Sequence, residues 1–301
     1  MDKPENISPD VLPAKPAAFG QKEITNRQLL LLAALAVLVI TVLFVLFPMP
    51  GGDDWDFHRS AVQRMLSGES LYNAKLGQIQ AKNHYPPWVA TALLPLAVLP
   101  FNVGRGLLSG LSFVVLIMVA RRYKLSIMKQ ALVLLSPPML YTLLHGQIDV
   151  LVLGILLLPE PWRLVLSITK PQVSIAFLFG IQRKNWLRAI IIAAAVMGIS
   201  FLIFGLWPLE YARQSVDIIG NGLNIWGGLW PYQVPLGLVL LLRAIERRDE
   251  RYLMASSPFF LPYAATSSLI GPWVALCGFL KDWQALIVLL AWWAASFSRL
   301  I

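Results

Sequence analysis

The chain has 301 residues, 57% of them hydrophobic and 14% charged, with a net charge of +9 and a mean hydropathy of +0.65. Soluble domains carry about 25% charged residues, so this composition excludes a soluble fold and defines a polytopic membrane protein. The basic residues fall in short stretches between apolar runs, where they act as topology signals and not as a nucleic-acid surface. Cys277 is the one cysteine, which excludes an intrachain disulfide.

Residues 1–27 are polar and interrupted by Pro4, Pro9, Pro13 and Pro16, which reads as a disordered tail. The apolar run that follows starts too late and is too long for a cleavable signal. Lys3, Lys15, Lys22 and Arg27 precede it and place the N terminus in the cytoplasm. The first span is residues 28–47, ended by Pro48, Pro50, Gly51 and Gly52.

Residues 48–102 then form an external segment. Within it, 56–68 has helical spacing, with Phe57, Ala61, Met65 and Leu66 on one side, and reads as a helix lying on the membrane surface. Residues 86–100 hold four prolines and are short for a crossing, so a juxtamembrane helix is expected there. A second span at 103–120 then delivers Arg121, Arg122, Lys124 and Lys129 to the cytoplasm.

Further spans are expected at 127–144, kinked by Pro137-Pro138, and at 148–160. Residues 161–182, broken at Lys170-Pro171, suit a re-entrant pair of half-helices. Then come a span at 187–206, a second external segment at 207–229 and a span at 230–245. That span returns to the basic turn of Arg243, Arg247, Arg248 and Arg251, and spans at 252–271 and 283–298 follow. The expectation is an all-α bundle of seven to ten membrane segments forming one domain over 28–301, without internal repeats.

The residues most able to carry chemistry cluster at the mouth of the first span: Asp53, Asp54, Asp56, His58 and Arg59. Carboxylates against a membrane span suit a substrate that is half lipid and half polar. Asp56 is the first choice as a base that takes the proton of an acceptor hydroxyl. The alternative is that the three acids serve the N-terminus of the surface helix. They could also hold a divalent metal, but no further ligand set is evident, so no metal or other cofactor is assigned. His58 could assist as a base or be a hydrogen-bond partner, and Arg59 and Arg64 could hold a phosphate or touch lipid headgroups.

Tyr72 and Tyr85 read as interfacial anchors, and Tyr85-Pro86-Pro87 fixes an extended entry into the next helix. His145, Gln147 and Asp149 break an apolar region, where Asp149 either lines a site or caps a helix. Lys170, with Gln172 on the same turn, is the basic residue deepest in an apolar stretch and wants an anionic partner; a lipid phosphate and snorkelling are the two readings. Glu210, Tyr211, Arg213 and Asp217 of the second external segment could contact substrate or be surface residues.

The succession Asp56-Phe57, Ser67-Gly68, Leu71-Tyr72, Tyr85-Pro86-Pro87, Leu94-Pro95-Leu96 and Leu99-Pro100 resembles the N-terminal region of glycosyltransferase family 87. Gly146-Gln147-Ile148-Asp149 and Lys170-Pro171 follow in the family's order, and the resemblance covers residues 28–185. Members are polyprenol-phosphate-dependent, mannosyltransferase-like enzymes of the GT-C superfamily. The resemblance implies transfer of a hexose, mannose first, from a polyprenyl-phosphate donor to a glycolipid or glycan acceptor, with inversion, outside the cytoplasm of a bacterial inner membrane. It implies Asp56 as catalytic base and Lys170 near the donor phosphate. The chain is shorter than expected of the family, with C-terminal spans as the missing part. A lipid-linked-sugar transporter or flippase, and a silent subunit with partners in a membrane complex, are the alternative expectations.

Overall fold

A computed structural model describes residues 26–72, 85–212 and 223–297. The N-terminal tail up to residue 25, and Arg213 and Asp217, lie outside the described residues. Among the described residues every regular element is a helix, as expected for an all-α membrane protein.

The first helix, α1 (Asn26–Leu46), coincides with the expected first span and stops before Pro48. After the glycine turn comes α2 (Asp53–Leu66), and Pro87 at its first turn starts α3 (Pro87–Ala97). Pro86 is extended, with ψ of 153°, as the double proline predicts. α4 (Phe101–Arg122) is the expected second span and the most enclosed of the long helices.

α1 lies along α4. Gly106 and Gly110 sit four residues apart, a spacing that puts both on one face and lets two membrane helices approach closely. A Cβ at Gly106 would stand 2.8 Å from the Thr41 Cα, and one at Gly110 would stand 2.8 Å from the Val37 Cα. The contact is therefore backbone to backbone.

Prolines shape the rest. The expected kinked span divides into α5 (Ile127–Leu134) and α6 (Pro137–His145), bent by 48° at Pro137-Pro138. Residues 148–160 do not form the expected span. α7 (Asp149–Leu153) gives way to a short 3-10 turn at Gly154–Leu157, and Pro159 and Pro161 follow. The 161–182 stretch is broken at Lys170-Pro171, as expected, into α8 (Arg163–Thr169) and α9 (Pro171–Ser174), then a 3-10 turn at Ile175–Gly180.

α10 (Trp186–Phe204) is a long apolar helix, and α11 (Val234–Arg247) ends at the basic turn. The expected span at 252–271 is replaced by α12 (Glu250–Ser256), an irregular stretch through Pro258 and Pro262, and α13 (Ile270–Phe279). α14 (Asp282–Phe297) closes the described chain.

Among the described residues three helices are long and apolar enough to cross a bilayer, and the bent α5–α6 pair makes a fourth if it is one span. Shorter apolar helices at Pro87–Ala97, Pro171–Gly180, Thr266–Phe279 and Asp282–Phe297 fill the bundle. Such interrupted backbone is tolerated at membrane depth only when enclosed by protein or beside a wet cavity.

The α1–α4 contact gives a test. Gly110→Ala should destabilise the detergent-solubilised protein by about 1–3 kcal/mol in thermal unfolding, because the new methyl meets backbone. Gly198→Ala on α10, whose Cβ enters open space, should leave stability unchanged or slightly raised.

Candidate active site

The site is built where α2, the α6–α7 turn and the α8–α9 break converge. α2 buries Trp55, His58, Ala61 and Val62, and packs on α3. The expected apolar side through Phe57 and Leu66 is therefore displaced: Leu66 is exposed and Phe57 half-buried. Trp55 is fully buried, and its indole N–H donates to the Phe101 carbonyl at 3.1 Å. Gly146 turns the chain after α6 with φ of +73°, and a Cβ there would stand 2.6 Å from the Trp55 Cβ. Glycine is required at that position on both counts.

Arg105, which the sequence reading passed over, organises this corner. It is fully buried in α4. Its guanidinium donates to the carbonyls of Met49 at 2.7 Å, Pro50 at 2.8 Å and Leu144 at 2.5 Å. One charge thus ties the α1–α2 turn to the open C-terminal carbonyls of α6. A lone arginine inside an apolar helix was the available signal.

Beneath α2 lies a continuous polar network. Lys170, 3% exposed, pairs with the fully buried Asp149. It also donates to Gln147 Oε1 at 2.6 Å and to the Tyr85 hydroxyl at 3.2 Å. Asp149 accepts a second bond, from Ser268 at 2.9 Å. The Gln147 amide donates to Asp54 Oδ2 at 2.5 Å. The network therefore runs Asp149–Lys170–Gln147–Asp54, from the interior to α2.

The three acids take different places. Asp54 is half-buried in the network. Asp53 is exposed, and its Oδ1 lies 2.7 Å from His145 Nδ1, while His145 stacks on Tyr141 at 4.0 Å between centroids. Asp56 is exposed and makes no side-chain hydrogen bond or ion pair among the described residues. None caps α2, whose N-cap is Gly52; their charges lie in the first turn, favourable to the helix dipole. Ligand atoms of Asp53, Asp54 and His145 lie within 4.8 Å of one another. That set of two carboxylates and one imidazole could hold a divalent cation. His145 is the third ligand that was not evident in the sequence.

Other expected residues have structural partners. Lys170, expected near a donor phosphate, donates to Asp149, Gln147 and Tyr85. Arg59 donates to the Ala97 and Leu99 carbonyls at 3.2 and 3.4 Å and so closes the end of α3. Gln172 is half-buried and outside the network. Tyr72, expected as an interfacial anchor, is 2% exposed. It stacks on Trp207, and its neighbour Ser70 donates to Glu210 at 2.5 Å. The two expected external segments therefore meet.

Burial, before the opposing Lys170 charge, lifts Asp54 from 3.8 to about 6. Burial, followed by the Lys170 charge, pushes His58 from 6.5 down to about 3. His58 is therefore neutral at physiological pH, with Nε2 unpaired among the described residues and its ring 4.9 Å from Tyr85.

The buried polar network on an all-α membrane scaffold defines a membrane protein whose candidate site lies at α2 and the turn at Gly146. The sequence profile of glycosyltransferase family 87 matches residues 83–299. The match covers well over half of the chain, and the chain belongs to that family; it is a membrane glycosyltransferase. The match reaches through the C-terminal half, where the motifs gave no resemblance. It includes Tyr85, His145, Gln147, Asp149, Lys170 and Gln172, and begins after the acids of α2. No curated protein and no solved structure matches the chain.

Two outcomes test this corner. Arg105→Leu leaves the Met49, Pro50 and Leu144 carbonyls without their donor and should cost about 3 kcal/mol or more in unfolding experiments. Titration supplies the other. Between pH 6.5 and about 3 the unfolded chain binds the His58 proton that the folded protein refuses, so stability falls as pH falls. Asp54 acts oppositely, since its folded form holds a proton that the unfolded chain has lost, and stability falls as pH rises from 3.8 to about 6. Thermal unfolding across pH should show the first slope vanish in His58→Gln and the second in Asp54→Asn.

Proposed function

We propose that this glycosyltransferase moves a hexose, mannose first, from a polyprenyl-phosphate donor to a hydroxyl of a glycolipid or glycan on the extracytoplasmic side of a bacterial inner membrane. The acceptor oxygen attacks the anomeric carbon, the bond from that carbon to the phosphate oxygen breaks with inversion, and the lipid phosphate leaves with the electron pair. Asp56 takes the acceptor proton.

The observation that carries this reading is the placement of α2. It sets a free, exposed carboxylate at Asp56 beside a second one, Asp54, held by the interior network. A base needs an accessible lone pair near its substrate, and among the described residues Asp56 has no partner competing for it. Lys170 then serves as a positioning residue, presenting Asp54 through Gln147. The reaction as written needs no nucleotide sugar and no metal.

The test is sugar transfer in proteoliposomes given polyprenyl-phosphate mannose, other lipid-linked hexoses and membrane glycolipids. Asp56→Asn should lower the rate about a hundredfold or more without changing thermal stability. Lys170→Met strands the buried Asp149 carboxylate and should lower stability as well as rate. Full activity in Asp56→Asn with loss in Asp54→Asn would move the base to Asp54. Movement of intact labelled lipid across the vesicle without transfer would favour a transporter. Absence of transfer with every donor, with capture of a partner protein, would favour a silent subunit.

A further inference from the structure

α4 is 22 residues long, about 33 Å, which is the thickness of a bilayer's hydrocarbon core. Its Phe101 end receives Trp55 at the candidate site, and its other end carries Arg122 into a pocket of about 600 Å³. That pocket therefore lies on the membrane face opposite the candidate site. Its walls are the turn after α4 and the turn between α11 and α12.

Five cations and two carboxylates line it: Arg122, Lys124, Arg247, Arg248 and Arg251 against Asp249 and Glu250. Both carboxylates are already used. Glu250 is held by the buried Arg163 at 2.5 Å and by Arg122 at 3.1 Å. Asp249 is held by the Arg251 guanidinium, which also donates to the Gly278 carbonyl and lies over the Phe279 ring. The side chains of Lys124, Arg247 and Arg248 make no hydrogen bond or ion pair among the described residues. The pocket thus presents three uncompensated cations from two different turns.

The backbone adds a second observation. Lys124 and Arg248 have φ of +53° and +52°, and they are the positive-φ residues other than glycine in the described chain. Glycine or asparagine suits that conformation better. Both turns instead carry a long cation there, and both of these residues line this pocket.

We propose that this pocket binds a phosphate group, from an anionic lipid headgroup or a soluble phosphate, independently of the sugar-transfer site. Basic pockets between membrane helices suit headgroup phosphates, and three donors that line one pocket from two turns suit the several acceptor oxygens of a phosphate.

The experiment compares the full-length protein with Lys124→Gly/Arg248→Gly, in phosphatidylcholine nanodiscs with and without phosphatidylglycerol and with added inorganic phosphate. Glycine fits the left-handed backbone, so this variant should fold at least as well as the parent. Wild type should be stabilised thermally by one of the two additions, and native mass spectrometry should find roughly tenfold less phosphatidylglycerol retained by the variant. Stabilisation by phosphatidylglycerol alone identifies a lipid headgroup; stabilisation by inorganic phosphate in neutral lipid identifies a soluble ligand. Response to neither addition, or equal response in the variant, overturns the proposal. Arg247→Gln in the parent background provides a second variant with both turns intact, and it too should weaken binding.

Discussion

A buried guanidinium with no carboxylate to neutralise it is costly unless oxygen dipoles replace water on every side. Arg105 meets that constraint with carbonyls contributed by two chain segments, and much of the rest depends on it. The segments are the α1–α2 turn and the C-terminal end of α6. Holding them together seats Trp55 against Gly146. It also brings the acids of α2 beside His145 and Gln147, about ninety residues later in the chain. The N-terminal half of the site is therefore assembled by backbone oxygens around one side chain.

The other half depends on a charge pair in a low dielectric. Lys170 and Asp149 would each be expensive alone, and together they still need their remaining hydrogen-bonding capacity filled. Ser268, Gln147 and Tyr85 fill it. Gln147 is the joint: its carbonyl accepts from lysine while its amide donates to Asp54. The polarity of that amide fixes the direction of the network, so the Asp54 carboxylate of α2 feels a cation it does not touch. Burial, with the same cation as the second cause, keeps His58 neutral.

Much of this was legible in the sequence. The span at α1, the surface helix after it, the second span and the breaks at Pro137-Pro138 and Lys170-Pro171 follow from hydropathy and proline chemistry, which act locally. Asp53, Asp54, Tyr85, His145, Gln147, Asp149 and Lys170 could be singled out because polar groups in apolar surroundings are rare, and they do meet. What failed was long-range or angular. Arg105 was missed because its acceptors are main-chain oxygens, which leave no trace in residue identity. The C-terminal spans were drawn too long because Pro258, Pro262 and Pro159 interrupt apolar runs that hydropathy alone reads as continuous.

The three acids in the first turn of α2 invite the view that one could stand in for another. An α-helix advances about 100° per residue, so Asp54 and Asp56 point to nearly opposite sides of the same turn. Their surroundings confirm the division: one contacts the interior network, one contacts solvent, and Asp53 contacts an imidazole on another helix. To exchange their duties the helix would have to roll by half a turn, pulling Trp55 out of its slot. The triplet is therefore three separate addresses with no spare, and gene variants that shift an acid by one or two positions conserve composition while abolishing the arrangement.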